Sequence, residues 1–294
     1  MKTNFVKNKF KFLILPVVII LAGIIGYFVN GGFNYDIEFM GGIKMQIAWE
    51  NPASTEEVKT YLEETTGVSP LVVQTTTSGI SIKTKAVEEE KKNELFDALK
   101  TKYSLTDDAL LSVNSASASF GSQVQKKAFL YTLIAVLLIL AYIAIRFEWR
   151  SAVMAVIALV LNILVMMAIY ALFYIPLNTT FIAAMLTVVG YSINNTIVVF
   201  DRVRENMKKL NAKRGNTVCD MVNTSISESM GRTLNTTITT LITIVLLYII
   251  GVASVKEFAF PLIVGVIAGA YSSIFFASPF WAVWKQAELD AKKK

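Results

Sequence analysis

The chain has 294 residues, of which 54% are hydrophobic and only 17% charged, with a mean hydropathy of +0.53. Soluble domains carry about a quarter charged residues, so this balance is wrong for a globular enzyme. Without histidine and with one cysteine, Cys219, the chain has no His-containing metal site, no Ser-His-Asp or Cys-His arrangement and no intramolecular disulfide. It also lacks a Gly-rich phosphate loop of the Walker type. The reading is a membrane protein, not an enzyme, with no cofactor. Its net charge of +6 divides unevenly, −6 over residues 33–122 and +12 over the remainder. The basic excess flanks apolar runs and forms no nucleic-acid recognition module.

A membrane-spanning helix needs about 20 mostly apolar residues. Six stretches qualify: 12–29, 128–145, 151–174, 180–200, 233–251 and 258–280. Residues 151–200 contain no charge at all. As a single helix they would be roughly 75 Å long, so they cross twice. The break is expected at Ile175-Pro176-Leu177-Asn178, where proline and asparagine favour a turn.

Lys2, Lys7, Lys9 and Lys11 precede the first span, and Arg146 and Arg150 lie between the second and third. Arg202, Arg204, Lys208, Lys209, Lys213 and Arg214 occupy a loop expected after the fourth, and the chain ends in Lys292-Lys293-Lys294. The turn near Pro176 has no basic residue and the one near Val255 only Lys256. Both termini are therefore expected in the cytoplasm, with residues 33–122 outside. Tyr27-Phe28-Val29-Asn30 is not a small-residue cleavage site, which makes the first span an uncleaved anchor. The expected division is an N-terminal segment with the first span (1–32), an outer domain (33–122), spans two to six (123–284) and a basic tail (285–294).

Within the outer domain, residues 43–49 alternate as a strand. Ser54-Thr55-Glu56-Glu57 starts a helix, with Ser54 capping and Glu57 completing a box, and Gly67 ends it. Residues 71–75 and 80–84 read as strands joined by a turn at Ser78-Gly79. A charged helix over 87–102 has Leu95, Phe96 and Leu99 as its inner stripe, and a last strand follows around 110–113. The order βαββαβ is the ferredoxin-like split arrangement. Residues 75–78 and 115–119 look like mobile polar loops. The domain is either a spacer or a surface that handles a polypeptide.

Polar residues inside spans cost free energy unless paired or hydrated. Thr187, Tyr191 and Asn195 recur every four residues on one face of the fourth span, flanked by Asn194. Arg232, Thr236, Thr239, Thr240 and Thr243 form a comparable stripe in the fifth, and Asn162 stands alone in the third. Gly265 and Gly269, with Ser273 beyond, make a small-residue face for close helix packing in the sixth. Helical rise puts Asn195 about 21 Å and Arg232 about 28 Å below the outer surface. Arg232 either reaches up towards Asn195 or snorkels to the headgroups; the threonine stripe favours an interior seam. Glu228, four residues before Arg232, is either its salt-bridge partner or, as the preferred reading, a helix-start carboxylate near the cytoplasmic surface. Asp201-Arg202 reads as a helix-end feature fixing span depth, and Cys219 as an inert loop residue.

The stretch Val189-Gly190-Tyr191-Ser192-Ile193-Asn194-Asn195-Thr196, continuing to Phe200-Asp201-Arg202-Val203-Arg204-Glu205-Asn206, resembles the signature of the SecF family. Glu38-Phe39-Met40-Gly41-Gly42 resembles that family's DFTGG, and Arg146-Phe147-Glu148-Trp149-Arg150 and Arg232-Thr233-Leu234 match in order. The resemblance implies a six-helix half of the resistance–nodulation–division architecture with one ferredoxin-like extracytoplasmic domain, in a bacterial inner membrane. It further implies a SecD partner, the SecYEG channel, the SecA ATPase and a preprotein substrate, with late-stage export driven by proton-motive force. In that mechanism span four carries a proton-accepting aspartate that the span-five arginine assists. Here the family's GYSIND reads Gly190 to Asn195 with an amide last, and its span-three His-Asp pair is Leu161-Asn162. An amide exchanges no proton near neutral pH, and arginine stays protonated. Three alternatives follow: the carboxylate lies on SecD, which the retained Arg232 favours; another ion such as sodium is used; or there is no ion coupling. The rival readings are a half-size transporter of lipids or small hydrophobic molecules, and a passive assembly subunit.

Overall fold

A backbone in a low-dielectric setting can hydrogen-bond only to itself, so charge-free apolar runs become helices. The computed structural model describes residues 4–76, 79–85, 89–116, 118–209 and 217–291. In chain order the elements are α1 (Lys9–Val29), α2 (Ile37–Met40), β1 (Gly42–Ala48), α3 (Thr55–Thr66), β2 (Val72–Thr76), β3 (Gly79–Thr84), α4 (Glu89–Tyr103) and β4 (Leu110–Ala116). There follow α5 (Ala118–Arg146), α6 (Trp149–Leu172), α7 (Thr179–Met207), α8 (Val218–Ile250), α9 (Ala253–Ser272), a π-helical turn (Ser273–Ala277) and α10 (Ser278–Ala291). The turn expected at Ser78, the helix start at Val87, and Lys2, Lys213, Arg214 and Lys292 to Lys294 lie outside the described residues, as do Thr77 and Ser117 of the two polar loops.

Two units form: Met1–Asn34 with Leu130–Lys294, and Tyr35–Phe129. Five helical segments of the first are long and apolar enough to cross a membrane, Lys9–Val29, Trp149–Leu172, Thr179–Met207, Val218–Ile250 and Ser254–Ala291. The apolar part of α5, Leu130–Arg146, is shorter. The break at Pro176 separates α6 from α7, and Asn178 holds it. Its Oδ1 accepts the Phe181 N–H at 2.9 Å while its Nδ2 donates to Glu257 at 2.8 Å.

Small residues set how closely the helices approach. A methyl group on Gly23 of α1 would lie 2.4 Å from the Ala168 Cα of α6, and one on Gly26 would lie 2.6 Å from the Leu172 Cα. Pro16 has no N–H to offer the Phe12 carbonyl one turn earlier. Tyr271 of α9 supplies the missing donor, its hydroxyl lying 2.6 Å from that oxygen.

Two expectations are corrected. Helix α7 does not stop at the end of its apolar run but continues to Met207, so Arg202 and Arg204 are helical and not in a loop. Cys219 lies in the first turn of α8, half-buried. The physical reason is lateral pairing: the polar ends of α7 and α8 satisfy each other, which keeps both helical beyond the apolar segment. Residues 285–291 are helical, as the last part of α10.

In the second unit the strand order is β2-β3-β1-β4, every neighbouring pair antiparallel. Ile43, Ile47, Ile80 and Ile82 of the sheet pack on Val58 and Leu62 of α3 and on Leu95 and Leu99 of α4. Ser54 caps α3, its hydroxyl accepting from the Glu57 N–H at 3.2 Å, and Gly67 ends it at φ +66°. Glu57 does not complete a box; its carboxylate is taken by the Tyr103 hydroxyl at 2.9 Å and Lys102 at 3.3 Å.

A buried charge cluster at Asp36 was not visible in the hydropathy pattern. Lys44 of β1 and Lys83 of β3 are direct cross-strand partners, an arrangement of like charges that destabilises a sheet if left alone. Asp36 sits between them, 2.9 Å from Lys44 Nζ and 3.3 Å from Lys83 Nζ, and also caps α2 through the Ile37 N–H. The chain then enters β1 through Gly41 and Gly42 at φ +75° and +127°. A Cβ on Gly42 would lie 2.1 Å from the Thr84 carbonyl oxygen, which explains the Gly-Gly pair.

Burial alone would raise the Asp36 carboxyl pKa, but Lys83 and then Lys44 outweigh it and hold the group below the ordinary aspartate value. A depressed folded-state pKa stabilises above the unfolded value and is lost as pH falls through the folded one. Hydrogen exchange of the β1 and β3 amides should therefore stay slow down to about pH 4 and accelerate below it. Asp36→Ala should weaken protection by about 3–5 kcal/mol at neutral pH, since both ammonium groups lose the carboxylate they share. Unchanged exchange in the variant would refute the assignment.

Candidate functional site

Helix α7 carries hydrogen-bonding side chains on two faces. Towards α6 and α9, Asn162 Nδ2 donates to Ser192 Oγ at 2.6 Å, and the Thr196 and Ser273 hydroxyls lie 2.8 Å apart. Ser273 and Ser272 both donate to the Gly269 carbonyl, at 2.7 and 3.2 Å, immediately where the helix widens into its π-turn. Extra acceptance at that carbonyl is the local cause of the bulge. Close approach makes these bonds short: a methyl on Gly269 would lie 3.0 Å from Ser192 Cβ, and one on Gly265 would lie 2.3 Å from Val188 Cγ2. Asn162 is thus a satisfied interhelical residue.

Towards α8 the pairing runs antiparallel. Tyr191 donates to Thr237 Oγ1 at 3.4 Å. Further along, Glu228 accepts from Arg202 Nε at 2.7 Å and from Asn206 Nδ2 at 2.7 Å, while Asn206 also reaches Ser225 at 3.0 Å. Arg202 is additionally paired with Glu205. Helix α8 begins at Val218, so Glu228 is not a helix-start carboxylate, and its partners are Arg202 and Asn206 instead of Arg232; it fastens α8 to α7. Asp201 is exposed beside this cluster.

Between those two fastenings lie Asn195 and Thr233, each 2% exposed. The register set by Tyr191–Thr237 and Arg202–Glu228 puts them at the same level. Asn195 Nδ2 and Thr233 Oγ1 are both buried without a hydrogen-bond partner. Unpaired buried polar atoms are uncommon in folded proteins and mark a strained or functional place.

Arg232 stands elsewhere. It is exposed on α8, and among the described residues no hydrogen bond or ion pair reaches its guanidinium. Thr239 and Thr243 are exposed with it, and Thr236 and Thr240 half-buried. Their hydroxyls bond back to carbonyls of their own helix, Thr236 to Arg232 and Thr240 to Thr236, both at 2.9 Å. On α7, Thr187 and Asn194 are likewise exposed. The stripe is therefore an outward polar face of this chain, and the inner seam uses Thr233 and Thr237 instead. Sequence periodicity found the helix but chose the neighbouring face. Ser192, Thr196 and Ser273 were readable as a second small-polar stripe, whereas Asn206 of α7 meets Ser225 and Glu228 of α8 about twenty residues on in the chain and gave no local signal.

An apolar helical unit with, among the described residues, five segments long enough to cross a membrane and a polar inner seam, joined to a small α/β unit, defines a multi-span membrane protein. Residues 97–287 match the family described as "Protein export membrane protein SecD/SecF, C-terminal". Similar in sequence are the protein translocase subunit SecF of Petrotoga mobilis, 33% identical with 94% of each chain covered, and the SecDF subunit of Bacillus subtilis, 32% identical over 98% of this chain and 39% of that one. The crystal structure of SecDF, a translocon-associated membrane protein from Thermus thermophilus, superposes with a TM-score of 0.85 at 30% identity, covering 97% of this chain and 39% of that one. The chain belongs to the SecF family of protein translocase subunits.

The Asn162–Ser192 bond gives a direct test of the inner seam. In a double-mutant cycle of Asn162→Leu and Ser192→Ala, thermal unfolding of the full chain should yield a coupling of about 1–3 kcal/mol. Strict additivity would contradict the buried bond.

Proposed function

We propose that the chain is the auxiliary SecF half of a Sec translocase assembly that pairs with SecD and promotes late-stage preprotein export, without enzymatic activity of its own. The observation that carries this reading is Arg232: a permanently charged side chain in a candidate membrane span, exposed and unpaired in this chain. Charged side chains on membrane helices face partners, water-filled cavities or headgroups, and Arg232, at the inner end of its apolar run with no partner among the described residues, is read here as facing a partner. Relatives named SecDF carry further chain of about the right kind to supply that partner, since this sequence covers only 39% of them. In this reading α5 is the sixth span, the unit from Tyr35 is a ferredoxin-like extracytoplasmic domain, and both termini are cytoplasmic. SecYEG, SecA and the preprotein are the remaining partners.

Energy coupling then requires a titrating group from SecD. Asn195 and the threonines carry no ionisable proton. Asn195 and Thr233 instead present neutral, unsatisfied hydrogen-bonding atoms at the level where the family's carboxylate stands. The seam of this half orients and tunes; the partner carries the proton.

The test is export by the reconstituted SecD pair across imposed proton and sodium gradients, with wild-type chain and Arg232→Leu. The variant should co-purify with SecD yet export roughly tenfold more slowly under a proton gradient, equivalent to about 1.4 kcal/mol of barrier. Sodium dependence would move the coupling ion, and indifference to both gradients would end the coupling proposal. Loss of co-purification would make Arg232 a packing residue.

A further inference from the structure

A second polar site lies away from the seam, where the α5–α6 corner meets the end of α7 and α10. Glu148, at the start of α6, accepts from Lys285 Nζ at 2.8 Å and from Arg150 at 2.9 Å. Glu288 of α10 pairs with the same two cations, at 3.1 and 2.9 Å. Two acids and two bases thus compensate each other. Beside them is a cavity of about 280 Å³ whose apolar walls include Phe147, Phe200 and Met207. Glu148 and Lys285 of that cluster line it as well, together with Ser151, Arg204 and Trp281.

Three observations say what this cavity takes. Arg204 is exposed, and among the described residues no carboxylate pairs with it, so it is the uncompensated charge at the rim. Trp281 is only 4% exposed, and its indole N–H has no acceptor; Arg150 Nε is a second buried donor in the same corner without one. Donors without acceptors, together with a cation, select an anion with several oxygens. The level of the site selects its source. Trp149 and Trp284 meet edge-to-face at 5.1 Å in this corner, so three of the four tryptophans of the chain gather at one end of the apolar helices. Tryptophan concentrates where hydrocarbon gives way to headgroups.

We propose that this cavity binds the phosphate of an anionic phospholipid, with Arg204 as the electrostatic anchor, the Trp281 N–H as the directional donor and the apolar wall receiving the start of an acyl chain. The site is independent of the export reading and of the α7–α8 seam. Glu148 does not oppose the anion, because both of its cations hold it.

The full chain in nanodiscs of phosphatidylcholine, titrated with phosphatidylglycerol, provides the test. Lipid retention is read by native mass spectrometry after release and binding by tryptophan fluorescence. Wild type should retain phosphatidylglycerol in preference to phosphatidylcholine. Arg204→Gln should weaken that preference about tenfold, and Trp281→Phe, which keeps the ring but removes the donor, about threefold. Arg204→Lys, which keeps the charge, should restore most of it. Equal retention of the two lipids, or variants that behave as wild type, would overturn the proposal. Saturation by inorganic phosphate alone would overturn the lipid assignment in favour of a free anion.

Discussion

Hydrogen bonding inside an apolar layer is a closed account: water is absent, so every polar side chain must find another protein group. Helix α7 meets this constraint on both sides at once. Ser192 and Thr196 are satisfied by Asn162 and Ser273 and Tyr191 by α8, and beyond the apolar layer Arg202 and Asn206 pair with α8 as well. Because α6, α8 and α9 all meet their obligations through this one helix, its rotation is fixed to within a hydrogen bond. The glycines at 265 and 269 follow from that requirement, since larger side chains would hold α9 too far from Ser192.

The constraint also exposes what the chain leaves unfinished. Asn195 and Thr233 are enclosed but not satisfied, and Arg232 is neither enclosed nor paired. In a soluble protein an exposed arginine would call for no comment. On a helix apolar enough to cross a membrane, it needs headgroups, water or another polypeptide beside it. Membership of a family with relatives called SecDF makes that polypeptide SecD in the reading proposed above.

Much of this was legible in the amino-acid order, for physical reasons particular to each element. Uninterrupted apolar length defines spans, so the helices and the break at Pro176 emerged directly. Ser54 and Gly67 act within one turn of themselves, and the ends of α3 were readable from them. The chain order of strands and helices in the small unit agrees with alternation and turn spacing. What stayed hidden depends on partners distant in the chain. Glu57 looked like half of a local box until Tyr103 was near it. Lys44 and Lys83 occupy alternate positions on strands, where a lysine looks solvent-facing until the sheet pairs them over Asp36. The face of α8 was misassigned because threonines at spacings of three and four make stripes on either side of Thr233; only the packing against Tyr191 and Asn206 selects between them.

The central claim is that the outward face of α8 is completed by SecD. A nitroxide spin label at Thr239, in a Cys219→Ser background, reports this by its mobility and its accessibility to dissolved oxygen in lipid. In the chain alone the label should be mobile and oxygen-accessible, and both properties should fall when SecD is co-assembled. Identical spectra with and without SecD would leave this face to the lipid and contradict the account.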